Sequence, residues 1–288
     1  MAVFLPVGEE LAAGVSIDEK LAELRRILRE MGSVVVGYSG GADSALLLKV
    51  AKEELGDKAV GVIAESESYP KSELDAAIEL ARAMGVSIVR ARTQELEREE
   101  YASNATDRCY HCKLELFSHM ATIADDLGFR WIAYGANHDD LGDYRPGQQA
   151  GQDVGARAPL IEAGLTKPEI RHISKQLNLP TWDKPAMACL SSRFPYGVRI
   201  TAELLARVEA AEEYLRAELG FREVRVRHHD DVARLELGAD EMDRLLDRDL
   251  RTQISRRLKA LGYYHVAVEL EGYRSGSMNA GITGSSNG

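Results

Sequence analysis

The chain has 288 residues, 45% hydrophobic and 28% charged, a balance that suits a globular protein with one large or two moderate domains. Its formal net charge of −10 argues against a broad nucleic-acid surface, and no apolar run reaches the roughly 18 residues of a membrane span. The opening Met1-Ala2-Val3-Phe4-Leu5-Pro6 lacks the basic region and apolar core of a signal peptide, so a cytoplasmic setting is expected.

The first fifteen residues carry no pattern and read as a loose arm. Ser16 stands three residues before Glu19, the capping-box spacing, and Ile17, Leu21, Leu24, Leu28 and Met31 fall on one helical face. Val34-Val35-Val36, then Tyr38-Ser39-Gly40-Gly41-Ala42-Asp43-Ser44, then Ala45-Leu46-Leu47-Leu48 predict strand, glycine turn and a helix to about Leu55. Residues 58–64 read as a buried strand, 72–84 as a helix stopped by Gly85, and 86–91 as a third strand. The alternation predicts an α/β domain with a parallel sheet and helices on both faces.

Leu114 to Leu127 reads as a helix, and Trp131-Ile132-Ala133-Tyr134 as a strand running into polar Gly135-Ala136-Asn137-His138-Asp139-Asp140. Residues 143–155, rich in Gly and Gln without apolar period, read as a long loop. Thr166-Lys167-Pro168-Glu169 is a capping box with proline in the first turn, and residues 180–185 form a punctuated linker. Beyond it, a helix over 201–219, alternating strands at 224–227 and 233–237, helical segments over 240–261 and a strand at 266–268 predict a small α+β domain. The expected division is 1–195, 196–278 and a disordered Gly/Ser tail at 279–288. From Arg193 onward, 15 basic residues face 16 acidic ones, so the acid excess lies earlier, and an arginine-lined pocket for a small phosphorylated ligand is open to the second domain.

The glycine turn carries the clearest chemistry. Gly40 and Gly41 let backbone approach a ligand, and Ser39, Asp43 and Ser44 place polar groups where helix amides favour an anion. No Gly-Lys-Ser/Thr follows, so this is not a Walker loop, and it lacks the three glycines of a dinucleotide fold. Ser39-Gly40-Gly41-Ala42-Asp43-Ser44 resembles the PP-loop, SGGxDS, of ATP pyrophosphatases. The resemblance implies an adenine nucleotide alpha hydrolase-like fold that binds ATP with Mg²⁺ and releases AMP and pyrophosphate. The bland alternative is an ordinary strand-to-helix turn.

Three cysteines are an odd number in a compartment where disulfides are not the default. Cys109 and Cys112 form a C-x-x-C pair with Cys189 far off in sequence, and the pair alone is open to zinc, a redox dithiol, an iron–sulfur cluster or buried thiols. The redox reading is weakened because the pair does not open a helix directly after a core strand. Three thiolates suit a 4Fe-4S cluster with one open iron. Arg193, Arg225 and Arg227 are candidates to grip phosphate or carboxylate, although alternating Val224-Arg225-Val226-Arg227 reads first as a solvated strand face. His228 and His229 read as surface residues, since neighbours on a strand face opposite ways.

Cys189-Leu190-Ser191-Ser192-Arg193-Phe194-Pro195-Tyr196-Gly197, read with the PP-loop, resembles the LarE family of ATP-dependent sulfur transferases. Further matches are Asp143 to Gly147, Val224 to His228 and Glu271 to Asn279, so the resemblance covers about Ile17 to Asn279. It implies adenylation of a carboxylate of a small pyridinium nucleotide, pyridinium-3,5-biscarboxylic acid mononucleotide, and its conversion to a thiocarboxylate for the nickel-pincer nucleotide. Asp43 and Cys189 would be catalytic, and Ser192, Arg193, Arg225 and Arg227 would bind substrate. A divalent-ion role for Glu212 rests on the resemblance alone. One branch of the family sacrifices a cysteine near the position of Cys189, and the other holds a 4Fe-4S cluster on three cysteines. Cys109, Cys112 and Cys189 point to the second branch, with sulfide or another sulfur donor as partner and a homo-oligomer expected. A tRNA thiolase and a non-catalytic nucleotide- or metal-binding carrier are the alternatives. Acidic charge and the lack of a basic stripe with interleaved aromatics weigh against the thiolase.

Overall fold

Ser16 caps the first helix as its spacing predicts: its hydroxyl accepts from the Glu19 amide, and the Glu19 carboxylate accepts from the Ser16 amide at 2.8 Å. The structure, a computed structural model, describes residues 14–142, 146–185 and 188–274. The expected arm up to residue 13, the 279–288 tail, and parts of two family matches (143–145 and 275–279) lie outside the described residues.

In chain order the elements are α1 (Ile17–Met31), β1 (Val34–Gly37), α2 (Ala42–Leu55), β2 (Ala59–Glu65), α3 (Lys71–Ala83), β3 (Ser87–Arg92), α4 (Glu99–Ala102), α5 (Arg108–Leu127), β4 (Trp131–Tyr134), α6 (Pro146–Asp153), α7 (Pro159–Glu162) and α8 (Lys167–Gln176). Then come α9 (Ala202–Glu213), β5 (Val224–His229), β6 (Val232–Leu237), α10 (Arg248–Ala260) and β7 (His265–Val268). No helix among the described residues is long and apolar enough to cross a membrane.

Two compact units result. Of the described residues, the first holds those within 14–95 and 107–185, and the second those within 96–106 and 188–274. The division thus falls at 187/188 where the sequence pointed to 195/196, and the second unit also claims a short earlier segment. Hydrogen bonds hold that segment: Gly197 N–H donates to Asn104 O at 3.0 Å, Ile200 N–H donates to Ala102 O at 2.8 Å, and Asn104 Nδ2 donates to Pro195 O at 2.7 Å.

The first unit is the expected α/β domain. Its sheet runs β3-β2-β1-β4, all parallel. Val34 and Val36 enter the core shared with α1, α2 and α8, while Val35 enters a second core with Phe117 and Met120 of α5. A strand buried on both faces needs an unbroken apolar run, which is why Val34-Val35-Val36 shows no alternation. The sheet is wound outward in both directions from β1, so the crevice at the carboxyl ends of β1 and β4 is a topological switch point, where ligands bind in such sheets.

Residues 146–153, expected as loop, form α6 against α5. The helix packs through Ala150 and Gly151, and a Cβ on Gly151 would stand 2.9 Å from the Tyr134 ring. Contact through small residues leaves no apolar period to read.

The second unit pairs β5 and β6 antiparallel, and β6 and β7 parallel, over a core of Leu215, Phe221, Val224, Val226, Leu235, Leu237, Ile254, Leu258 and Tyr263. β5 is buried on both faces. Arg225 and Arg227, read as a solvated face, are therefore buried, at 6% and 5% exposure. His228, read as a surface residue, is buried too, between the rings of Phe194 and Tyr263. Burial, with the nearby Arg207 charge, holds its pKa below the usual imidazole value.

Candidate active site

At the switch point, β1 gives way to the glycine turn and α2. Gly40 takes φ +63°, and a Cβ there would lie 2.6 Å from the Ala77 Cβ, so only glycine fits. Gly41 is the N-cap of α2 and supplies no side-chain cap, leaving the first-turn amides to an outside acceptor. The loop is fixed from within. Ser39 N–H donates to Ser44 Oγ at 3.1 Å, the two hydroxyls share a 3.1 Å hydrogen bond, and Tyr69 OH donates to Ser39 O at 2.6 Å. The end of β4 passes so close that a Cβ on Gly135 would stand 2.9 Å from Ser44 N.

Two lysines that sequence reasoning missed flank the loop. Lys167 Nζ contacts both Asp43 carboxylate oxygens, at 2.8 and 2.7 Å, while its backbone N–H donates to Asp139 Oδ2 at 2.7 Å. Lys184 Nζ donates to Gly40 O at 3.2 Å and pairs with Glu73 at 2.7 Å. Arg171 donates to the Lys184 carbonyl at 2.9 Å. The signal for Lys167 was present: it is the first residue after the Thr166 cap, at the start of a helix. Lys184 sits in the punctuated linker with nothing local to mark it.

The cysteines divide between the units. Cys109 and Cys112 lie in the first turns of α5, which begins at Arg108, before the expected Leu114. α5 follows an irregular stretch and not a core strand, an arrangement unlike that of a thioredoxin-type dithiol. Cys189 precedes a 3₁₀ turn, Leu190–Arg193, in the second unit. Cys109 is exposed, Cys112 and Cys189 are half-buried, and none is in a disulfide. Among the described residues, no group of three or more His, Cys, Asp or Glu side chains is gathered as a metal site.

In the second unit, Cys189 belongs to a buried arginine–glutamate network. Arg193, 1% exposed, makes a two-pronged contact with Glu212: Nε to Oε1 at 2.8 Å and Nη2 to Oε2 at 2.9 Å. Its Nη1 donates to the carbonyls of Ala188 (2.7 Å) and Cys189 (3.0 Å) and to Ser192 Oγ (3.0 Å). Arg193 therefore positions the cysteine turn, with its donors directed at protein groups. Glu212 also accepts from Val226 N (2.9 Å) and Arg216 (2.6 Å). Burial by itself would raise the Glu212 pKa, but Arg193, Arg216 and Arg225 overcome it and hold the carboxyl at about 2.

Arg227 donates to Ser192 O at 3.0 Å and to the fully buried Glu236 at 2.6 Å. Arg225 donates to Val224 O and lies over the Tyr273 ring; burial and the Arg193 charge push its pKa down. The buried Arg193, Arg225 and Arg227, with Arg216 and Arg234, thus surround two buried carboxylates, Glu212 and Glu236. Guanidinium groups of this kind pair with carboxylate and phosphate alike.

Comparison with known proteins extends this picture. Residues 17–111 match the family model described as NAD synthase. A Lactiplantibacillus plantarum protein, pyridinium-3,5-bisthiocarboxylic acid mononucleotide synthase, is 39% identical, with 93% of this chain and 96% of that protein aligned. The Synechocystis protein slr1717 is 42% identical over 93% of this chain and 99% of its own length. The Methanocaldococcus jannaschii protein MJ0830 is 27% identical over 89% and 98%.

Proposed function

Because the chain belongs to the LarE family of PP-loop, ATP-dependent sulfur transferases, we propose that it acts on pyridinium-3,5-biscarboxylic acid mononucleotide, the dicarboxylic counterpart of the product named for its Lactiplantibacillus relative. ATP places its phosphates over Gly40, Gly41 and the first-turn amides of α2. A ring carboxylate oxygen attacks the α-phosphorus, the bond to the β-phosphate bridging oxygen breaks, and pyrophosphate leaves. The acyl-adenylate that results has AMP as its leaving group, which a free carboxylate lacks. Sulfide sulfur then attacks the acyl carbon, and AMP departs with the bonding pair, leaving a thiocarboxylate for nickel-pincer nucleotide assembly.

Asp43 would hold the Mg²⁺ that accompanies ATP, directly or through water, in exchange for its present contact with Lys167. Released in this way, Lys167 can meet the negative charge that develops on pyrophosphate. Arg225 and Arg227 take the substrate's phosphate and second carboxylate, with Ser192 beside them, while Arg193 and Glu212 keep the Cys189 turn in place. The observation that carries the reading is the PP-loop at the switch point, joined to an alignment that spans 93% of the chain.

Cys109, Cys112 and Cys189 would hold a 4Fe-4S cluster, a group that supplies an exchangeable sulfide nucleophile at its open iron. Three thiolates are the ligand chemistry such a cluster takes, although among the described residues the three cysteines are not gathered as a metal site. The test is anaerobic purification with iron and labile-sulfide analysis, followed by turnover with ATP, Mg²⁺, sulfide and the biscarboxylic nucleotide. About four irons per chain, thiocarboxylate in excess of enzyme and an unchanged protein mass are expected. At most one equivalent of product, with loss of about 34 Da from Cys189, would establish sacrifice of that cysteine instead.

A further inference from the structure

The two peptide planes of the glycine turn are each held from outside the loop. The peptide between Ser39 and Gly40 has its carbonyl fixed by Tyr69, whose hydroxyl donates to Ser39 O at 2.6 Å. The next peptide, between Gly40 and Gly41, has its carbonyl fixed by Lys184, whose Nζ donates to Gly40 O at 3.2 Å. Neither peptide is cis. In a planar trans peptide the N–H points opposite to the C=O, so each held carbonyl also aims an amide: Gly40 N–H in the first, Gly41 N–H in the second. Gly40 stands between them at φ +63°, the left-handed conformation that lets successive amides converge on an anion. Among the described residues, neither amide donates to a protein acceptor.

Both braces are anchored at the start of α3. Tyr69 stands two residues before that helix, and Lys184 pairs with Glu73 in its first turn at 2.7 Å. Tyr38 OH donates to Ala77 O at 3.0 Å, which ties the same helix to the end of β1. Burial, with Glu73 and Tyr38 nearby, raises the Tyr69 pKa above the usual phenol value, so the hydroxyl keeps the proton it donates. Arg171 of α8 donates to the carbonyls of Lys184 at 2.9 Å and Trp182 at 3.4 Å, which fixes the linker that carries the lysine. Adjacent glycines give backbone that rotates freely, so the orientation of these two planes has to come from such contacts.

We propose that Tyr69 and Lys184 are positioning residues for the phosphates of ATP: they set the planes of Ser39-Gly40-Gly41 so that consecutive amides face the pyrophosphate portion. The inference rests on the reading of this loop as the ATP phosphate site. Lys184 acts through Gly40 O, and its bond to Glu73 keeps it there. Lys167 differs, because it exchanges its partner for the leaving group.

In the full chain, Tyr69→Phe and Lys184→Met should each weaken binding of inorganic pyrophosphate with Mg²⁺ by about tenfold, the order expected for losing one such hydrogen bond. KM for ATP should rise more than kcat falls, because the amides meet the phosphates in ground state and transition state alike. Inhibition by adenosine, which has no phosphate, and the melting temperature should stay near those of the parent. Lys184→Arg should recover most of the affinity. Gly40-Gly41 is the only Gly-Gly pair in the sequence, so glycine labelled with ¹³C at the carbonyl and with ¹⁵N reports the Gly41 amide as one correlated signal. Saturating pyrophosphate should move that signal downfield in the parent and less in Lys184→Met. An unchanged pyrophosphate affinity in either variant would overturn the assignment of that residue. So would an undiminished Gly41 shift at saturation in Lys184→Met, which would mean that the lysine touches the phosphate itself. A parent chain that binds no pyrophosphate would instead overturn the reading of the loop, and this proposal with it.

Discussion

The two units hold their functional groups by opposite means. In the first, the PP-loop is built of backbone and small side chains, its ligand-facing donors are helix amides, and its charged residues, Asp43 with Lys167 and Glu73 with Lys184, are partly exposed pairs at the rim. In the second, the groups around Cys189 are long charged side chains buried almost completely and tied to one another. A backbone site is preorganised by φ/ψ and sterics and tolerates changes at its rim. A buried charge network is preorganised by mutual neutralisation, so removing one member leaves another charge stranded in a poor solvent.

The sharpest way to break this contrast is Glu212→Ala. It strands Arg193 and Arg216, and it should cost about 3–5 kcal/mol of second-unit stability, the usual penalty for breaking a buried pair. Denaturant unfolding followed by probes confined to the second unit, such as hydrogen exchange over β5, would read it. Acid should mimic the mutation. The Glu212 carboxyl titrates near 2 in the folded chain, below its ordinary 4.5, so its contribution is full above pH 4.5 and is lost as pH falls toward 2. A variant as stable as the parent, with an unchanged acid profile, would mean the network is not what holds the cysteine turn.

Changes at the rim of the first unit should spare the fold and strike the chemistry. Asp43→Ala and Lys167→Met are each expected to lower AMP formation by about 10²-fold or more, as loss of one preorganised electrostatic contact does elsewhere, with little shift in melting temperature. Unaltered AMP release in either variant would remove that residue from the mechanism. The smallest effect in free energy is expected from Gly40→Ala: about 1–3 kcal/mol from positive φ and overlap with Ala77. Adding Ala77→Gly should recover the overlap part alone, separating sterics from backbone strain. A double variant no better than the single would show that φ carries the whole cost.

Local sequence determined a good deal of this protein. Glycine at Gly40 and Gly41, a cap at Ser16, a capping box at Thr166 and unbroken valines in β1 each follow from the chemistry of a few adjacent residues, so the strand–turn–helix of the PP-loop and the parallel sheet were legible. What the tertiary structure decided lies in contacts between distant residues. Whether Arg225 meets water or the Tyr273 ring, whether Arg227 meets water or Glu236, whether His228 faces solvent or two rings, and whether Gln- and Gly-rich residues 146–153 coil or pack depend on a second surface arriving from elsewhere in the chain. Lys167 and Lys184 reach the loop across 124 and 144 residues. Periodicity reports how a segment partitions between water and an average interior. It carries no information on which charge awaits inside, because pairing energy depends on distances that only the folded chain creates.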